Sequence, residues 1–128
     1  EDGQIINAAS SPLLGTVASL LLNATKHLAG IDHSLKLISQ DFIEPIQRTK
    51  VEYLGAKNPR LHTDEVLVAL SVLSQNDPNC RRALAMLPLL RGCQAHATVM
   101  LSDVDRKIFR KLGIEMTCDP VKKEKANN

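Results

Sequence analysis

Aromatic side chains are scarce in this 128-residue sequence: Trp is absent, and Phe42, Tyr53 and Phe109 are the only large rings. That excludes the aromatic platforms on which single-stranded nucleic acids stack, and it leaves Leu, Ile, Val and Ala to fill the core. An excess of one charge is missing too. The 16 Lys and Arg residues face 14 Asp and Glu, a net charge of +2, so neither a nucleic-acid partner nor a membrane surface is expected. No apolar run approaches the roughly 20 residues that a helix needs to cross a bilayer. Three cysteines, an odd number without a spaced framework, point to reduced thiols inside a cell, and a cytoplasmic location is expected. The phosphate-cradling patterns GxxxxGK[ST] and GxGxxG are absent, as is the GxSxG nucleophile elbow. A complete nucleotide site within these residues is therefore not expected, and no cofactor is implied.

What is present is a well-signalled α/β pattern. With 44% hydrophobic residues, the length suits one core, so a single domain is expected over residues 1–120, with 121–128 a disordered tail. The clearest stretch runs from Leu87 to Pro120. Ala95, Ala97, Val99 and Leu101 alternate with His96, Thr98 and Met100, the period of two of a strand. Ser102 is placed to cap a helix, with Asp103 and Asp105 at its positive end. Val104, Ile108 and Leu112 form one stripe, Arg110 and Lys111 suit the last turn, and Gly113 supplies a left-handed stop. Ile114–Cys118 is the next strand. Strand, crossover helix and strand of this length predict a parallel βαβ unit.

Upstream, Gln4–Ala8 reads as a strand, and Asp2-Gly3 before it resembles a hairpin turn whose first strand lies outside the sequence. A fragment of a longer protein is expected. Ser11 as N-cap and Pro12 at the first helical position predict a helix to Gly30, buried through Leu14, Val17, Ala18, Leu21, Ala24 and Leu28. Gly15 in its first turn costs about 1 kcal/mol relative to Ala, which close packing or a ligand would offset. Residues 31–39 are ambiguous between helix and strand. Asp41 and Glu44 resemble a capping box for a helix to about Leu54, ended by Gly55. Thr63-Asp64-Glu65 starts a helix to about Gln75, and Asn76-Asp77-Pro78 starts another that ends before Pro88. The sum is a sheet of about three or four strands with about four helices besides the βαβ unit.

In open α/β sheets ligands favour the carboxyl ends of strands, where helix N-termini present free amides. That rule selects Ser102 and Asp103, Asp119 after the last strand, and Ser10 with Ser11 if the first strand is parallel. Ser10, Ser11, Gly15 and Thr16 would then cradle a phosphate; helix capping by Ser11 and Ser102 is the plainer role. At the opposite end of the strand, Arg91 is a candidate for a carboxylate or phosphate from another domain, and Gly92 permits close backbone approach. Lys57, Asn58, Arg60 and His62 make a basic loop. Cys93, His96 and Cys118 suggest a metal, but six residues of rise would separate the cysteines by roughly 20 Å, too far for zinc or a disulfide. No metal site is expected.

FIEPIQRTKVEYLGAKNPRLHTDEVLVALS, LRGCQAHATVMLS and FRKLGIEMTCDP together resemble the C-terminal region of the bacterial proteins grouped as domain of unknown function family 1846, and EDGQIINAASSPL resembles the segment leading into it. The resemblance implies an intact protein several times longer, whose N-terminal portion has a Gly-rich, Ser-Gly-Lys-containing loop of phosphate-binding appearance. It implies no established reaction. Arg91, Gly92, Cys93, His96, Asn58, Arg60 and Thr63 lie in the shared motifs and are candidates on that ground. The expected role is that of a non-catalytic domain packing against the N-terminal part of the same protein, beside a phosphate or nucleotide site. The alternatives are an interdomain enzyme site that uses Arg91 and His96 on an anionic substrate, and a homo-oligomerisation module.

Overall fold

The computed structural model describes Ile6, Ala8 and residues 12–98 and 100–118. The strand expected over Gln4–Ala8, apart from Ile6 and Ala8 themselves, lies outside them, as do Ser10, Ser11, Asp119 and the tail. Among the described residues there are five α-helices and two strands, in the order α1 (Thr16–Ala29), α2 (Gln40–Arg48), α3 (Thr63–Leu73), α4 (Pro78–Ala85), β1 (Gln94–Ala97), α5 (Asp103–Leu112) and β2 (Glu115–Cys118). The fold class is α/β with a small sheet. β1 and β2 are parallel, Gln94 opposite Glu115 and Ala97 opposite Cys118, so the described sheet has two strands where three or four were expected.

Helix α1 divides the core. Its Ala18 and Leu22 face a helical cluster with Ile43, Leu61, Val66, Leu70, Cys80 and Ala83. Val17 and Leu21 face a second cluster with Leu90, Ala97, Leu101, Phe109 and Ile114. The helix begins four residues later than Pro12. Leu61 donates its amide to the Leu13 carbonyl and accepts from the Gly15 amide, at 2.9 and 3.2 Å, which draws residues 13–15 into an extended bridge and makes Gly15 the N-cap. Gly15 therefore lies outside the helix and escapes the expected penalty, and a Cβ there would meet only the Leu61 carbonyl at 3.7 Å, an ordinary contact. Its far end stops as expected, with Gly30 in the left-handed region at φ 70°.

Residues 31–39 form neither helix nor strand. They are an irregular crossing that buries Ile31, Leu37 and Ile38 and is pinned by the buried Lys26, whose Nζ donates to the carbonyls of His33 and Leu35 at 2.8 and 2.7 Å. Burial, and then the charge of Lys36, lower the pKa of that ammonium. The cap of α2 is Ser39, whose Oγ accepts from the Phe42 amide, whereas Glu44 accepts from Gln40 one turn back. The capping-box reading of Asp41 and Glu44 is therefore corrected. After α2 the chain widens into a π-helical turn, Thr49–Tyr53, before Gly55 at φ 75°. Helix α3 starts where expected. Glu65 Oε1 accepts from the His62 amide at 2.8 Å, and the buried Lys50 donates to the same oxygen and to the Arg60 carbonyl.

Asp77 caps α4 through the Asn79 amide. A 3-10 turn, Leu87–Leu90, then delivers the chain to β1. Among the described residues, strand β1 spans Gln94–Ala97 where Ala95–Leu101 was expected, and it pairs with the four residues of β2. The alternation outlasts the ladder: Met100 is 76% exposed and Leu101 only 8%. Helix α5 matches its sequence signals at both ends, with the Ser102 hydroxyl accepting from the Asp105 amide at 3.1 Å and Gly113 at φ 80°.

Candidate functional site: the outer face of the strand pair

The period of two gives the strand pair unlike faces. Ala95, Ala97, Met116 and Cys118 turn inward onto the second core cluster. Gln94, His96, Glu115 and Thr117 turn outward, and all four are exposed. They pair across the strands: His96 Nδ1 lies 2.7 Å from Thr117 Oγ1, and Gln94 Nε2 donates to Glu115 Oε1 at the long limit of 3.5 Å. Thr117 Oγ1 also lies within donating distance, 3.4 Å, of the Ala95 carbonyl. These contacts engage Nδ1 of the exposed His96 ring, and Nε2 is a donor or an acceptor according to tautomer.

Of the candidates chosen from sequence, His96 is the one this face displays. Arg91 sits at the amino edge, where its Nη2 lies 3.4 Å from the Lys111 carbonyl at the end of α5. A positive charge is favoured there by the helix dipole. Gly113 makes room for it: a Cβ there would come within 2.7 Å of Arg91 Nη1. Arg91 is thereby engaged in holding α5 against the turn before β1. Ser102 is spent on its cap, and Asp103 is exposed in the first turn of α5. Ser10 and Ser11 fall outside the described residues. In the basic loop, Asn58 Oδ1 accepts from the Arg60 amide and the Arg60 carbonyl accepts from Lys50.

Cys118 aligns with Ala97, four residues along from Cys93, or roughly 13 Å at 3.3 Å per residue. That is shorter than the sequence estimate and still too far for a disulfide or a shared ion. Among the described residues no group of His, Cys, Asp and Glu could hold a metal, and no helix is long and apolar enough to cross a membrane.

Sequence reading missed Thr63 and Asp105 as partners. Asp105 is 9% exposed, and its Oδ1 accepts from the Thr63 hydroxyl at 2.6 Å and from the Thr63 amide at 3.1 Å. A carboxylate in the first turn of α5 thus serves the first turn of α3. Forty-two positions separate the two residues, and no local pattern marks such a pair. Glu115 and Thr117 were legible in principle, because alternation along the second strand already set them on the side of His96.

The family whose description reads domain of unknown function DUF1846, C-terminal, matches residues 1–127. The chain belongs to this family. It is 58% identical over 120 residues to a UPF0371 protein of Corynebacterium aurimucosum, 56% over 119 to one of Corynebacterium diphtheriae, and 44% over 119 to one of Streptococcus thermophilus. Each alignment covers 93–94% of this chain and 24% of the relative. The chain spans about a quarter of the length of these curated relatives.

Proposed function

We propose that this chain is the non-catalytic C-terminal domain of a cytoplasmic protein and that it packs against the N-terminal portion through the outer face of β1 and β2. The observation that carries the reading is the bare outer face itself. Parallel sheets are ordinarily covered on both sides, yet Gln94, His96, Glu115 and Thr117 are exposed there. A polar face of this kind suits a hydrogen-bonded interdomain seam better than a second apolar core. His96 brings an imidazole to that seam, so the domain supplies one wall of a phosphate or nucleotide site in the preceding portion. The further strands expected from the sequence belong to this reading as well, joining the described pair from residues outside it.

The test is Thr117→Lys in the intact protein, followed by scanning calorimetry. A lysine on an exposed strand face costs the domain itself little but places an unpaired charge in a closed seam. The reading predicts that the C-terminal domain then melts as a separate transition, where the unsubstituted protein melts cooperatively. An unchanged thermogram would contradict it.

A further inference from the structure

The last two turns of α5 carry Arg106, Lys107, Arg110 and Lys111 and no acidic residue. Arg106 and Arg110, one helical turn apart, line a hollow of about 390 Å³ together with the chain from Gly113 to Met116, where it enters β2. Both are exposed, and their guanidinium groups have no hydrogen bond or ion pair to any described residue. The helix dipole accounts for Arg110 and Lys111 in the last turn. It does not account for Arg106 near the start of the helix, and like charges four positions apart repel.

The strand side of the hollow adds a donor. In a parallel ladder, alternate residues turn their backbone groups toward one neighbour and the residues between turn theirs away. Glu115 donates to the Cys93 carbonyl at 2.9 Å, so the register turns the Met116 amide away from β1, and Met116 lines the hollow. Glu115 lines it too, but its carboxylate belongs to the outer face, beside Gln94.

Two guanidinium forks and a strand amide around one hollow are complementary to an oxyanion. A carboxylate brings a single charge and two oxygens, which one fork satisfies. A phosphoryl group brings three acceptor oxygens and a charge of about −1.5 to −2 at pH 7, which answers both forks. We infer that Arg106 and Arg110 bind the phosphoryl group of a phosphomonoester, with the Met116 amide as a further donor. The hollow leaves room for the organic group that carries the phosphate. The inference does not rest on the proposed seam, since α5 packs against the inner face of the strand pair.

The experiment is a titration of the intact protein, carrying isotope-labelled arginine, with inorganic phosphate. The side-chain Nε–H signals of Arg106 and Arg110 are assigned by single substitution to Gln. Both signals should shift together and saturate with one Kd, and Arg106→Gln should raise the Kd read at Arg110 by about tenfold or more. Lys107→Gln combined with Lys111→Gln strips the neighbouring stripe of its charge and should change the Kd by less than about threefold. Equal weakening by the lysine and arginine substitutions would reduce the site to diffuse attraction by a basic helix and overturn the inference. Acetate binding as tightly as phosphate at matched ionic strength would also overturn it, since one fork would then suffice. So would the absence of any saturable arginine shift in the unsubstituted protein, a result that holds even if no variant folds.

Discussion

The two halves of the molecule that meet on α1 treat their polar groups in opposite ways. In the helical half these groups are consumed internally. Lys26 is turned onto two carbonyls, Lys50 onto Glu65 and the Arg60 carbonyl, and the Cys80 thiol onto the Leu37 carbonyl. In the strand half they are displayed. Gln94, His96, Glu115 and Thr117 lie on a bare sheet face, and Arg106 and Arg110 stand over the hollow beside β2, their guanidinium groups without a hydrogen bond or ion pair to any described residue. A buried charge without partners is costly, so the helical half is finished by its own residues. The strand half is at ease only at a surface or against something that answers its donors and acceptors. That contrast is the ground on which we propose stability for one half and docking for the other.

The contrast can be broken in order of effect. Leu70→Ala removes a side chain with no exposed area from the helical cluster and should cost about 3 kcal/mol in urea denaturation of the intact protein. Asp105→Ala attacks the joint between the halves. It strips the acceptor from the Thr63 hydroxyl and amide and should cost about 2 kcal/mol. Adding Thr63→Val should then cost much less than it does alone, a coupling that a double-mutant cycle would measure. Ser102→Ala removes only the cap of α5, about 1 kcal/mol.

A pH test sharpens the same comparison. Burial first, then the charge of Asp77 and a hydrogen bond to it, push the Cys80 thiol up from 9.0 to about 11. The folded state holds that proton over a range in which the unfolded chain has lost it. Its contribution is therefore complete below about pH 9 and is lost as pH rises toward 11. Stability of Cys80→Ala should fall less steeply across that window than stability of the unsubstituted protein. Equal slopes would show that the thiol does not sense the helical core.

Local signals made much of this fold legible. Ser102, Gly113 and the acidic first turn marked α5 at both ends, and alternation through His96 marked both the strand and its outward face. Expectations failed where distant residues override local chemistry. Leu61 pulls residues 13–15 out of the helix that Pro12 was expected to begin. Lys26 likewise fixes a crossing that no periodicity describes, whereas the shift of the α2 cap from Asp41 to Ser39 is a local choice between neighbouring capping residues. The candidate site divides along the same line. His96 was legible because period two alone exposes it, whereas Arg91 met an α5 carbonyl that lies twenty positions away in sequence.

The measurement that bears most directly on the docking claim is carbethoxylation of histidines in the intact protein, read residue by residue. His33 and His96 are both exposed in this domain, and His33 belongs to the closed half. If the preceding portion covers the outer sheet face, His33 reacts readily and His96 is shielded, becoming reactive when Thr117→Lys opens the seam. If His96 reacts as fast as His33 in the unsubstituted protein, the outer face is open to solvent and the assignment of docking to the strand half is wrong.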